Sequence, residues 1–230
     1  MTDNSARRQI PGQEEEPRDR LVRLQNRIRV FVTAWKKQLI AAAAVVCIAA
    51  IAGAGVFYFL ERARGNASEM LIQAARHYDS LGQDPDEDEL GKVRQDFEKL
   101  INTYGYTGPG KAGLLQYAEI CYKAEDYGRA LELYENAYGS FKDNPEFRPL
   151  ALNGMAHSHA AMGENQEAVS LFEKLLEDKS PLLKDQALFN LGLLYSRAGD
   201  SEKSRKYYQQ LVSDFPDSIF AEPAGDRLPG

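Results

Sequence analysis

Residues 188–216 read LFNLGLLYSRAGDSEKSRKYYQQLVSDFP, and this stretch decides the fold. Apolar residues recur in it at steps of three or four, which is the spacing of one face of an α-helix. Gly199-Asp200 interrupts the pattern once and Pro216 ends it, as expected for a turn and a helix stop. The stretch therefore predicts two short helices joined by a tight turn.

The same pattern recurs towards the N-terminus at a spacing of 36 to 38 residues. The unit quoted above contains Leu188, Leu191-Gly192, Tyr195, Gly199-Asp200, Ser204, Tyr208, Leu211 and Phe215-Pro216. The unit before it contains Leu152, Met155-Ala156, His159, Gly163-Glu164, Ala168, Phe172 and Leu175. The next contains Leu114, Tyr117-Ala118, Cys121-Tyr122, Glu125-Asp126-Tyr127, Ala130, Tyr134 and Ala137. A repeat of this length predicts an array of stacked helix pairs.

These residues resemble the tetratricopeptide repeat, whose signature has a large residue, Leu-Gly, Tyr, a Gly-Asp turn, Ala, an aromatic residue, Ala and Pro at those offsets. The resemblance extends to a fourth, degenerate unit with Ala75, Tyr78 and Gly82 on its first half and Phe97 and Leu100 on its second. It implies an all-α solenoid of about four repeats over residues 66–222, enough helix pairs to bury a shared core. Past Pro216, residues 217–222 are expected to begin a further helix that Pro223 ends, which predicts a short cap followed by a frayed tail over 223–230.

An uncharged apolar stretch precedes the repeats. Leu39 to Leu60 has 22 residues without a charge, and about 33 Å of helix matches the hydrocarbon core of a bilayer. The stretch is too long, and its basic flank too long, for a cleaved signal peptide. The sequence therefore predicts a transmembrane helix over residues 39–60.

The segment before this stretch is basic. Residues 1–37 hold nine Lys/Arg and five Asp/Glu, which leaves a net charge of −10 for the rest of the chain. Six Lys and Arg residues lie between Arg20 and Lys37, whereas only Arg62, Arg64 and Arg76 follow the span at a similar distance, which predicts a cytoplasmic N-terminus with the repeat domain on the other side of the membrane. Residues 1–19 lack periodicity and are expected to be disordered, whereas 20–37 form an amphipathic juxtamembrane helix with Trp35 at the interface. Two interpretations of that helix are an orientation signal and an anionic-lipid binding site.

Two further features have more than one interpretation. Ala49 and Gly53 lie four residues apart in the span, a spacing that allows close pairing with another membrane helix but also arises by chance in Ala-rich stretches. Gly105 to Gly110 separates the first two units, as a hinge or as a plain connector.

No motif for catalysis or cofactor binding occurs, which predicts a chain that is not an enzyme and has no cofactor. His157 and His159 are two residues apart and would point to different faces of a helix, so a metal site is not predicted. Asp84 to Glu89 lacks the ligand order of a calcium loop. The acidic body also argues against nucleic acid as a partner.

In the tetratricopeptide repeat family the first helix of each pair lines a concave groove that binds peptide segments. Carried over by position, the resemblance places ten residues in the groove: Ile72, Arg76, Leu115, Glu119, Tyr122, Asn153, His157, Phe189, Leu193 and Arg197. The Lys and Asn pair with which some members hold a C-terminal carboxylate is replaced by Leu115 and Glu119. Capture of chaperone tails is therefore not implied.

The arrangement of basic tail, single span and external repeat domain resembles the family of ancillary subunits of the SecYEG translocon. The resemblance implies a membrane-anchored interaction scaffold in the bacterial inner (cytoplasmic) membrane, with its repeat domain in the periplasm. Its implied partners are translocon subunits, periplasmic chaperones or their clients. The alternative is an envelope adaptor in cell division, wall synthesis or a secretion apparatus.

Overall fold

A computed structural model describes residues 17–82 and 86–228 of the chain. The described part contains helices and turns without strands. The helices are α1 (Pro17–Asp79), α2 (Glu87–Tyr104), α3 (Gly108–Lys123), α4 (Tyr127–Ser140), α5 (Arg148–Ala161), α6 (Asn165–Glu177), α7 (Lys184–Arg197), α8 (Ser201–Asp214) and α9 (Ala221–Gly225). The chain divides into two compact units, Met1–Phe59 and Leu60–Gly230. Most of the tail expected over residues 1–19 lies outside the described residues.

The first unit contains the N-terminal part of α1. Separate elements are expected from the sequence over 20–37 and 39–60, whereas the structure has one uninterrupted helix there. No proline lies between Pro17 and Pro85, and isolated glycines such as Gly53 cost a helix only about 1 kcal/mol each. Within Ala34–Asp79 an 18-residue window has a mean hydropathy of 2.6 and none of it is buried in the protein. By length and composition this helix is a candidate membrane span.

The second unit is a stack of four helix pairs. The Leu60 to Asp79 part of α1 pairs with α2, and their side chains meet in a core that includes Ala74, Val93 and Phe97. The pairs α3 with α4, α5 with α6, and α7 with α8 follow, each helix packing on the next in the chain. The first helices of neighbouring pairs also touch, as α3 and α5 do. This architecture confirms the predicted all-α solenoid.

The turns inside three pairs have the same backbone geometry. Gly163 and Gly199 take the left-handed conformation, with φ of 83° and 81°, and Glu125 takes it with φ of 61°. After each of them the next residue donates its N–H to a carbonyl five residues back, as Asp200 does to Tyr195 O at 2.9 Å. Glu125 occupies the turn position despite the steric cost of a Cβ there, about 1–2 kcal/mol. The repeat geometry therefore outweighs a local preference.

The segment between α2 and α3 is shorter than its glycines suggest. Gly108 to Gly110 belongs to the first turn of α3, which leaves residues 105–107 as the connector. Thr107 is buried, donates its hydroxyl proton to Tyr104 O at 2.7 Å and accepts the N–H of Gly110 at 3.1 Å. A Cβ at Gly110 would collide with Tyr104 O, so the close approach of the two helices requires glycine. These contacts are those of a tight connector.

The end of the chain differs from the frayed tail expected over residues 223–230. Residues 221–225 form α9, with Ala224 fully buried and Leu228 packed on the core of α7 and α8. Pro223 lies in the first turn of α9, where backbone N–H groups have no helical partner and a proline is tolerated. Residues 229–230 lie outside the described residues. The described part of this segment is therefore a cap on the last repeat.

Candidate binding groove

A pocket of about 500 Å³ lies between α3 and α5, within the compact unit Leu60–Gly230. Its lining combines aliphatic, aromatic and carboxamide side chains with one carboxylate. The lining residues are Leu115, Gln116, Glu119, Tyr122, Tyr134, Leu150, Asn153, Gly154, His157 and Gln186. Carboxamides carry both donors and acceptors, so this lining can pair with the N–H and C=O groups of an extended peptide.

Glu119 is the negative charge of the pocket. Its Oε2 accepts the hydroxyl proton of Tyr134 at 3.0 Å, and its Oε1 lies 3.4 Å from Lys123 Nζ. Burial, followed by the neighbouring carboxylate, raises the pKa of Tyr134, so this hydroxyl keeps its proton and remains a donor. The hydrogen bond from Tyr134 therefore fixes the Glu119 carboxylate at the pocket surface.

His157 forms the wall of the pocket towards α7. Its ring meets the Phe172 ring edge-on at 5.3 Å and the Tyr122 ring at 6.4 Å between centroids. Its Nε2 lies 3.3 Å from Gln186 Nε2. Burial lowers the pKa of His157, an effect that the Glu119 carboxylate opposes. The neutral imidazole can therefore accept the amide proton of Gln186.

Asn153 adds an unused hydrogen-bonding atom. Its Oδ1 is buried and has no hydrogen-bond partner within residues 17–82 and 86–228. A buried acceptor without a partner costs about 1–3 kcal/mol, so a donor that reaches it gains that energy back. Because this atom is buried, an incoming N–H group reaches it only if a covering side chain moves.

A second pocket of about 250 Å³ adjoins the first. Tyr122 and His157 line both pockets, and Leu193, Asn190 and Arg197 extend the second one along α7. The two pockets together form a groove that runs from Leu115 to Arg197 across α3, α5 and α7. We call this surface the repeat groove.

The structure brings seven of the ten expected residues into the repeat groove: Leu115, Glu119, Tyr122, Asn153, His157, Leu193 and Arg197. Ile72 and Arg76 lie on α1 and line neither pocket. Phe189 is covered by the cap, because the Phe220 ring stacks on it at 5.3 Å and Arg227 lies over it at 5.4 Å. The end of the chain therefore shortens the groove at α7.

Position in the repeat did not identify several of the residues that line the repeat groove. Gln186 and Asn190 are four apart on α7, and Leu150 lies three before Asn153 on α5, so helical spacing on one face could have identified them. Tyr134 lies on the second helix of its pair and carried no sequence signal for the groove. Within the described ranges no three His, Cys, Asp or Glu side chains are placed to hold a metal ion.

Residues 147–215 match the family model of the tetratricopeptide repeat. Among curated proteins, the photosystem I assembly protein Ycf3 of Synechococcus sp. is 26% identical over 107 residues, which cover 44% of this chain and 60% of that protein. The Homo sapiens intraflagellar transport protein 88 homolog is 24% identical over 144 residues, which cover 58% of this chain and 17% of that protein. The chain thus spans less than two thirds of either relative.

Two solved structures have similar folds. A tetratricopeptide repeat protein from Parabacteroides merdae has a TM-score of 0.56 at 16% identity, over 70% of this chain and 58% of that one. The putative kinesin light chain TPR-like repeats of Podosopora anserina have a TM-score of 0.53 at 15% identity, over 70% of this chain and 82% of that one. The chain described here therefore has an all-helical fold with a solenoid of the tetratricopeptide-repeat type.

Proposed function

We propose that the chain is a membrane-anchored scaffold that binds a peptide segment of another protein in the repeat groove. The observation that carries the proposal is the pair of adjoining pockets that share Tyr122 and His157. Aromatic rings supply apolar contact, and the carboxamides around them can bond a peptide backbone. The groove has one carboxylate, Glu119, near one end and one guanidinium, Arg197, near the other, which favours a segment with the opposite order of charges.

The candidate span in α1 supports anchoring to a membrane. Its apolar side chains, among them Ile48, Ile51 and Phe57, are about two-thirds exposed or more, which is favourable in lipid and unfavourable in water. The basic flank supports a cytoplasmic N-terminus and a periplasmic groove. We infer a place beside the export translocon in the bacterial inner membrane, where emerging chains and periplasmic chaperones would supply partners. The alternative partner set is that of an envelope adaptor.

A photocrosslinking amino acid in place of Tyr122 tests the groove. We expect adducts in living cells at this position and none at Gln209, an exposed position of α8 that lines neither pocket. Equal labelling at both positions would overturn the groove as the binding surface. Adducts with translocon subunits or periplasmic chaperones would support the export interpretation, and adducts with division or wall-synthesis proteins would support the adaptor.

Anchoring and orientation need separate measurements. We expect the chain to resist alkaline carbonate extraction from membranes, and a periplasm-dependent reporter fused after Gly230 to be active. Release by carbonate would refute the span, and an inactive reporter would refute the orientation. Neither result bears on the repeat groove itself.

A further inference from the structure

The part of α1 before the candidate span is amphipathic. We propose that residues 18–37 lie along the cytoplasmic face of the membrane and bind anionic lipid headgroups, an inference that rests on the anchoring described under the proposed function. The ligand class is a bilayer surface rich in anionic phospholipid. We call residues 18–37 of the helix the basic face.

The apolar side of this helix is exposed. Leu21, Leu24 and Ile28 follow one another at steps of three and four and are 62%, 59% and 55% exposed. Residues with this spacing lie on one side of a helix, one above the other. Trp35 extends the same side towards the span and is about half exposed. A helix with such a stripe is stable on a surface that takes up the stripe.

Basic residues flank this stripe, with exposed Val22 and Val30 among them. In the sequence, residues 18–37 contain seven Lys and Arg residues and one acidic residue, Asp19, which gives a net charge of +6. The basic residues are Arg18, Arg20, Arg23, Arg27, Arg29, Lys36 and Lys37. Interfacial helices combine an apolar stripe with basic flanks of this kind and insert the stripe at the boundary between headgroups and acyl chains. Anionic headgroups would neutralise the charge.

Charge decides between a lipid surface and a second copy of the chain. Two such helices packed through their apolar stripes would bring 14 Lys and Arg residues and two Asp residues, a net charge of +12, to one short interface. Like charges in neighbouring helices are destabilising. An anionic bilayer offers the opposite sign to the same face, so the observations favour lipid.

Position along the helix makes the proposal testable. Leu24 precedes Leu39 by 15 residues, which is about 22 Å of helix. In a helix that stands upright on the membrane Leu24 would therefore lie beyond the headgroup layer, in water. For these residues to lie on the surface, α1, which is continuous over Pro17–Asp79 in the structure, has to bend near Gln38 when it enters a membrane, and Leu24 would then lie among the acyl chains.

The single tryptophan of the chain, Trp35, allows a clean probe. We would reconstitute the full-length Leu24→Trp/Trp35→Phe variant at low protein-to-lipid ratio in vesicles of phosphatidylcholine alone and of phosphatidylcholine with phosphatidylglycerol. We expect a blue-shifted emission that brominated lipid quenches in the anionic vesicles alone. About 1 M salt, which shortens the Debye length to roughly 3 Å, should reverse the shift.

Arginine substitutions supply the matched control. Changing Arg23, Arg27 or Arg29 to Gln should each lower the ratio of membrane-bound to free helix about fivefold, so that less salt reverses the shift. Arg62→Gln/Arg64→Gln, on the other side of the span, should leave the emission unchanged. Identical spectra in neutral and anionic vesicles would overturn the proposal.

A blue shift that grows with the protein-to-lipid ratio, and is equal in both vesicle types, would also overturn it and would identify a second copy as the partner. Carbonate extraction of the same samples separates this failure from failure of the span. If the chain stays in the membrane but its emission does not depend on the lipid, lipid binding by the basic face is refuted and the membrane span is not.

Discussion

The ring of Tyr134 occupies the space that a side chain at residue 154 would need: a Cβ built on Gly154 would lie within 2.5 Å of Tyr134 Cδ1. The same ring is buried, and its hydroxyl holds Glu119 at the pocket surface. A glycine on α5 therefore allows α4 to approach closely enough for its tyrosine to support the repeat groove. Gly192 allows the same approach to Tyr208 in the last repeat, where a Cβ would lie 2.7 Å from Cδ1.

Gly154→Ala should lower the free energy of unfolding by about 1–3 kcal/mol, because Tyr134 is packed and can move only by shifting α4. Gly91→Ala is the matched control. A Cβ on Gly91 meets nothing within 4 Å, so the helix preference for alanine should stabilise the chain by about 0.5–1 kcal/mol. Urea unfolding followed by circular dichroism measures both changes. Equal effects of the two substitutions would contradict the close approach described above.

Phe220→Ala should destabilise the last repeat by about 1–3 kcal/mol, since it removes the ring stacked on Phe189 and exposes the core beneath it. Ile219→Ala, at a side chain that is 83% exposed, should change stability by less than about 0.5 kcal/mol. Thermal unfolding compares the two variants. If both behave alike, α9 is not a cap.

Asp178→Asn should remove a pH-dependent part of the stability. The guanidinium of Arg148 donates to Asp178 through Nε at 2.7 Å and Nη2 at 2.8 Å, and these bonds lower the pKa of the carboxyl. A group whose pKa is lower in the folded state stabilises fully above its unfolded value, about 3.9, and loses that contribution as pH falls through the folded value. The variant should therefore be less stable than the native chain at neutral pH.

The difference between the two proteins should shrink below about pH 4, where the native carboxyl becomes protonated. Denaturant titrations from neutral to strongly acidic pH check this. A stability difference that stays constant over the whole range would show that the ion pair does not set it.

His157→Gln should reduce the loss of stability that follows mild acidification. Because burial lowers the pKa of His157, the unfolded chain takes up a proton near pH 6.5 while the folded chain does not, so stability falls as pH drops below that value. The variant lacks this proton uptake, and its stability should change less between about pH 7 and 5. His77→Gln, outside the groove, is the comparison that identifies the effect with residue 157.

If the peptide covers His157, binding should weaken at a lower pH than the one at which stability begins to fall, because the folded chain takes up the proton only below the lowered pKa of His157. Protonation would place a charge beside Phe172 and Tyr122 and remove the acceptor that faces Gln186. We expect crosslinking from the groove to weaken in the native chain only where the pH falls below that lowered pKa, and to weaken less in His157→Gln.

Sequence was sufficient for the features that repeat. Gly163, Gly199 and the apolar positions around them recur at one spacing because each pair of helices solves the same packing problem, so the solenoid could be predicted from a single chain. The period also identifies several of the side chains that line the two pockets. Tyr122 and His157 lie on the inner faces of first helices, which the period identifies.

Other features depended on contacts between positions that do not repeat. Tyr134 lies on the second helix of its pair and reaches the pocket because Gly154 has no side chain in the space that the ring occupies. A spacing pattern in the sequence does not indicate which ring fills such a space on the neighbouring helix. Gln186 entered the groove through its contact with His157 on the preceding pair.

The C-terminal segment also combines features that the sequence determines with features that depend on tertiary contacts. The sequence by itself determined the repeated helix pairs, the apolar stretch from Leu39 to Leu60 and the basic segment before it, since period, hydropathy and charge are properties of the residues alone. Only the tertiary structure decided that Phe220 covers Phe189 and that the groove ends there. Proline at residue 223 signals a stop by local preference, whereas burial of Ala224 and packing of Leu228 come from the neighbouring helices and outweigh that preference.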